Sequence, residues 1–108
     1  MINGNVRIPA SLTSIADSTF QGCMMTSITF ASGSLLQSIG SNAFASTGLT
    51  SIAIPASVTT IGEQAFYYTS SLTSVSFASG SLLESIGTQA FQSSGLTSIE
   101  IPASVTSI

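Results

Sequence analysis

The chain has 108 residues, 44% of them hydrophobic, yet only Arg7, Asp17, Glu63, Glu84 and Glu100 carry charge, for a net charge of −3, and neither His nor Lys occurs. A single cation cannot neutralise a run of phosphates, so nucleic acid is excluded as a partner, and no stretch reaches the ~18 consecutive apolar residues of a membrane span. One residue in three is Ser or Thr, a surface with little self-repulsion that favours association with itself or with another neutral surface.

Met1 to Arg7 lacks the apolar core of a signal peptide. From there one pattern recurs along the chain. Val6-Arg-Ile8 alternates apolar and polar residues, the period of a half-buried strand, and Pro9 stops it because proline has no amide proton for a ladder. Ile15 and Phe20 follow as inward residues, and Cys23 stands three residues after Phe20, where later copies have Thr47, Thr69 and Ser94. A small buried filler is the reading for Cys23, because no His, Lys or second Cys is present to activate it. As the only cysteine it makes an internal disulfide impossible.

The second copy begins at Ile28 and Phe30 and takes a longer connection, Ala31-Ser-Gly-Ser-Leu-Leu-Gln37, to Ile39 and Phe44. The third runs from Leu49-Thr-Ser-Ile-Ala-Ile54 through Pro55 to Ile61-Gly62, where Glu63 to Phe66 is predicted as a short helical turn dropping Ala65 and Phe66 into the core. The fourth, from Val75 and Phe77, repeats the long connection before Ile86 and Phe91, and the fifth, from Ile99 and Ile101, ends at Ile108 without its Ala-Phe turn. Short and long coils thus alternate, and Pro9, Pro55 and Pro102 mark a superrepeat of 46 to 47 residues. Such regularity signals a solenoid, because one coil buries too little to offset its ordering entropy and must be covered by neighbours. The Ser-flanked Gly33 and Gly80 predict a ridge of loops on one flank, a tolerated insertion or a surface that a partner recognises.

The phrase Leu-x-x-Ile-x-Ile-Pro-x-Ser-Val-Thr-x-Ile-Gly-x-x-Ala-Phe resembles the leucine-rich repeats of the BspA-like (Treponema-type) class of bacterial and protist surface proteins. Ile-Pro-Ala-Ser-Val-Thr stands at 54–59 and 101–106, and Ile-Gly-x-x-Ala-Phe at 39–44, 61–66 and 86–91. Cys23 after Phe20 also fits that class. The resemblance implies a right-handed coil with a parallel sheet along one face, non-enzymatic work in adhesion or protein binding, and an extracellular or cell-surface location. The chain departs from the class in its scarcity of surface charge and in lacking a capping segment. The fold expected is therefore a leucine-rich-repeat solenoid of about four and a half coils of 22–25 residues, with a parallel β-sheet along one face and short strands and helical turns on the other. It is expected to form one domain over residues 1–108.

No catalytic, cofactor or metal site is predicted. Catalysis and metal binding both need groups this inventory lacks, and Ser without a base is inert. The candidate binding surface is the outward side of the sheet, Ser27, Thr29, Ser51, Ala53, Ser74, Ser76, Ser98 and Glu100, small and polar with no aromatic or Arg anchor. The reading the residues favour for the Ser row is that it only keeps a sheet face wet. Tyr67 and Tyr68 are adjacent aromatics predicted to reach the surface, as anchors or as a cover for the neighbouring loop. No Asn-x-Ser/Thr sequon occurs at Asn3, Asn5 or Asn42, while O-linked sugar on Ser and Thr stays open.

Both ends read as uncovered coils, which offers two functions. Copies stack head to tail into an extracellular filament through Met1, Ile2, Val6, Ile8, Ile99, Ile101, Val105 and Ile108, with Met1 to Asn5 filling the gap left beyond Ile108. Five strand layers at ~4.8 Å give a rise of about 24 Å per copy. Alternatively, the chain is a fragment of a surface adhesin that binds a host or matrix protein through the sheet face. The sequence leans to the filament, because low charge and uncovered ends favour the same outcome.

Overall fold

The computed structural model describes residues 3–107. They form a parallel solenoid of eight strands: β1 (Asn3–Ile8), β2 (Ser14–Ile15), β3 (Met24–Phe30), β4 (Ser38–Ile39), β5 (Ser51–Ile54), β6 (Thr60–Ile61), β7 (Ser74–Phe77) and β8 (Ser85–Ile86). Each coil contributes a longer strand to one side and a two-residue strand to another. The two-residue strands make one four-stranded parallel sheet, β2-β4-β6-β8. The expected solenoid and its repeat columns are observed.

The core is continuous from coil to coil. Ile15, Ile39, Ile61 and Ile86 are buried, as are Ile28, Ile52 and Ile54 of the longer strands. Phe20, Phe44, Phe66 and Phe91 stack with ring centroids 5.4, 5.2 and 5.2 Å apart and nearly parallel planes, an aromatic column that runs the length of the molecule. Phe44 and Phe66, covered on both sides, are fully buried, and Phe91 is half-buried. Cys23 and Thr69 are buried in one column, as its filler reading requires, and Thr69 donates its hydroxyl to the Phe66 carbonyl.

The turn after each Ile is not helical, and among the described residues no helix occurs. In each coil the residues two before and two after the Phe are left-handed. Ser18, Asn42, Ser46, Gln64, Tyr68, Gln89 and Ser93 have φ between 56° and 61°, and Gly22 has φ 73°. Alternating handedness turns every second N–H along the axis instead of back into its own turn. Asn42, Phe44 and Ser46 donate to the carbonyls of Glu63, Ala65 and Tyr67 in the next coil, at 3.0, 2.8 and 2.8 Å. The intervening amides close local turns, Ala43 to Gly40 and Ala45 to Asn42. A helix would spend all these donors internally, so stacking overrides it.

The coils approach too closely for a side chain at the residue after Ile. A Cβ on Gly62 would lie 2.6 Å from the amide nitrogen of Ser41, which explains the Ile-Gly phrase at 39, 61 and 86.

The long strands do not form one continuous sheet. β1 pairs with β3 and β5 with β7, whereas β3 and β5 touch without forming a ladder. In the ladders, Ala31 donates to Ile8 and Ala78 to Ile54, both at 3.1 Å. One coil up, the equivalent donors to Phe30 and Phe77 are residues 55 and 102, both prolines. Proline therefore ends its own strand and also removes the bond that would tie it to the strand below. The sheet is broken at each step from a long coil to a short one, the step at which proline stands in this position.

Candidate interaction surfaces

The predicted sheet-face residues lie where the alternation put them. Thr29, Ser51, Ala53, Ser74, Ser76, Ser98 and Glu100 are exposed and Ser27 is half-buried. Asn5 accepts hydrogen bonds from Ser27 (2.8 Å) and Thr29 (3.4 Å), so part of this face is satisfied internally. The face is also divided between β3 and β5. Tyr68 is 59% exposed and packs edge-on against Tyr67, with centroids 4.8 Å apart.

Much of the Ser and Thr content works between coils, a role that composition alone did not disclose. Thr59 donates to the Gln37 carbonyl at 3.1 Å and Thr106 to the Glu84 carbonyl at 3.2 Å. Ser57 donates to the carbonyls of Ser34 and Leu36, and Ser104 to that of Leu83. Gln64 and Gln89 bond side chain to side chain at 3.0 Å. The exposed Asp17 is equally structural, accepting the Ser41 amide at 2.9 Å. The signal was present in the sequence as Ser or Thr recurring two coils apart, at Ser57 and Ser104 and at Thr59 and Thr106.

The loop flank carries two cavities. The first, about 570 Å³, lies between the long loop Phe30–Ser34 and the strand end Ala53–Ser57, with Ala78 and Leu82 at its far side. The second, about 710 Å³, lies between β7 with its loop and residues 98–104. Every lining residue of the first that has a counterpart 47 positions later lines the second; Phe30 and Phe77, Ser34 and Ser81, and Pro55 and Pro102 are examples. The second also takes in Thr73, Ser74, Val75, Ser76, Ser98 and Ile99 and so reaches further onto the strands. Both occupy the step from a long coil to a short one, where the loop bulges and proline leaves the ladder open. The ridge above them exposes Leu35 and Leu82, at 58% and 59%, while their neighbours Leu36 and Leu83 are buried.

The end layers differ in polarity. In the last complete turn the amides of Gln89, Phe91 and Ser93 stand where earlier turns donate to the coil above, and in the first turn the carbonyls of Asp17, Thr19 and Gln21 stand where later turns accept. Val6 and Ile8 are buried in β1, Ile99 and Val105 are half-buried, and Ile101 is 36% exposed. Met1, Ile2 and Ile108 lie outside the described residues. Asn3 to Asn5 are paired with β3, opposite Met24, Met25 and Ser27, and so are not free to fill a gap in another copy. Among the described residues no three His, Cys, Asp or Glu side chains gather to hold a metal ion. Among the described residues no helix is long and apolar enough to cross a membrane.

Stacked parallel coils, an Ile-Gly turn column and an aromatic spine together define a leucine-rich-repeat solenoid. A profile of the BspA-type leucine-rich-repeat region matches residues 3–108 in six copies, and the chain belongs to that family. Its fold is similar to that of the pneumococcal vaccine antigen PcpA, with TM-score 0.89 and 35% identity over 95% of this chain and 26% of that one. It is also similar to a leucine-rich cell surface protein of Faecalibacterium prausnitzii, with TM-score 0.62 and 26% identity over 96% of this chain and 34% of that one. The chain thus spans about a quarter to a third of these structures. No curated protein sequence matches it.

Proposed function

We propose that the chain is a non-enzymatic interaction module of a cell-surface leucine-rich-repeat protein and that it grips its partner along the loop flank. The family and the two surface proteins with the same fold support the coarse role. The repeated cavity supports the location: nine lining residues recur with the superrepeat, and the ridge beside it carries exposed leucines. Adsorption of the labelled chain to bacterial and epithelial cell surfaces tests it with two double variants. Leu35→Ser with Leu82→Ser should abolish adsorption, and Thr29→Lys with Ser51→Lys, on exposed sheet-face residues that line neither cavity, should leave it intact. The reverse pattern moves the site to the sheet face and restores the adhesin reading there. O-linked sugar on exposed Ser and Thr of the turns is compatible with either arrangement.

A second reading is head-to-tail association, supported by the scarcity of surface charge, which leaves little self-repulsion between copies. In it Ile99, Ile101 and Val105 of one copy meet Val6 and Ile8 of the next, and the donor and acceptor rows face each other across one open turn layer. Five strand layers set a rise of about 24 Å. Negative-stain images and sedimentation across a concentration series check it; monomers throughout would sink this reading without touching the flank.

A further inference from the structure

The two flank cavities select a chemistry. Each has an apolar wall from a half-buried Phe and a Pro, Phe30 with Pro55 and Phe77 with Pro102. Each contains a serine, Ser34 or Ser81, whose oxygen accepts the amide two residues on at 3.2 Å, leaving its hydroxyl proton to donate outward. Each also has the carbonyl of Phe30 or Phe77, whose ladder donor is replaced by proline. The lining groups are uncharged except for Glu100, which occupies the place of Ala53 in the second cavity.

An occupant must therefore be neutral, present a flat apolar face to Phe and Pro, and bring donors for the free carbonyls. It must also repeat, because the sites lie two coils apart, ~10 Å along the axis at the parallel-ladder spacing. A proline-rich peptide has about the right advance per turn, ~9.3 Å, but few N–H groups to offer. A β-1,4-linked pyranose chain meets every requirement. Its rings have apolar faces and hydroxyl edges, and the same face returns at every second sugar.

The geometry points to a neutral, β-1,4-linked polysaccharide strand lying along the solenoid axis, with alternate sugars seated in the two cavities. This rests on the flank reading above and names its partner. Binding one strand at two sites makes the second contact intramolecular, so affinity rises steeply once the ligand is long enough to bridge them.

The test is a titration of the monomeric chain with cellobiose, cellohexaose, chitobiose and chitohexaose, read by amide chemical shifts. A hexasaccharide of at least one series should bind about tenfold or more tightly than its disaccharide, with shifts at residues 31–34 and 78–81. Ala78→Leu should remove most of that affinity, because Ala78 is exposed and lines both cavities. Pro55→Ala, which returns a donor to the Phe30 carbonyl, should reduce the hexasaccharide to disaccharide-like binding while the chain stays folded. Absence of shifts with both hexasaccharides, equal affinity for short and long ligands, or the same shifts produced instead by a proline decapeptide would overturn the proposal. If glycan binding fails while the flank variants still abolish cell adsorption, the flank reading stands and the partner is of another class.

Discussion

The two kinds of junction between coils are built from nearly the same residues yet behave differently. From short coil to long, as from β5 to β7, four residues pair in register and Ala78 donates to Ile54. From long coil to short, as from β3 to β5, the strands lie side by side without a ladder. The turn column makes no such distinction: Phe44 to Phe66 and Phe66 to Phe91 stack alike, at 5.2 Å. Continuity of the rod therefore lives in the aromatic spine and the axial turn bonds. The sheet side is free to open at regular intervals, and it opens where the flank cavities form.

The largest expected effect comes from breaking what the two junctions share. Phe66→Ala leaves a void between Phe44 and Phe91 in a fully buried column and should cost about 3–5 kcal/mol. Denaturant unfolding would register this, and native-state hydrogen exchange should show protection falling on both sides of coil three. Loss confined to one side would mean that the spine is not what joins the coils.

A smaller effect should convert one junction into the other. Ala78→Pro removes the amide that bonds to Ile54, an interaction whose loss with an orphaned carbonyl costs about 1–3 kcal/mol. Exchange of the β5 and β7 amides should then rise to the level seen at the β3–β5 step. A ladder that survives would show that the missing proline donor is not the cause of the break. Ser57→Ala is gentler. It removes the hydroxyl that ties the short coil to the loop below, through the Ser34 and Leu36 carbonyls, and should cost about 0.5–1.5 kcal/mol. Its midpoint shift should be accompanied by faster exchange at residues 31–37, with the turn column unchanged.

The sequence discloses these features unevenly. Phe20, Phe44, Phe66 and Phe91, with the Ile column five residues before them, are legible because burial imposes a period that survives in one dimension. The sheet-face row is legible for the same reason. Glu63 to Phe66 is misleading, since its spacing suits a helical turn, and only the demand of the next coil for axial donors turns Gln64 left-handed. Proline is half legible: that Pro55 ends β5 is a local consequence, whereas the loss of a bond at Phe30 is a consequence 25 residues away. The paired cavities lie at that same step between residues far apart in sequence, so no local pattern at Phe30 or Ser34 announces them.

Pro55→Ala separates the local consequence of proline from the distant one. Restoring an amide to face the Phe30 carbonyl contributes about 0.5–1.5 kcal/mol. Losing a proline loosens the unfolded chain and costs about 0.4–1 kcal/mol. The two nearly cancel, so the unfolding midpoint should move little, and the informative readout is local. The new amide of residue 55 should be protected from exchange, and the amides of β3 and β5 should gain protection together, as expected if a single donor decides whether the ladder closes. Protection of residue 55 alone would mean that the loop bulge at Gly33 holds the strands apart independently, and the division of the sheet would then belong to the two-residue insertion rather than to proline.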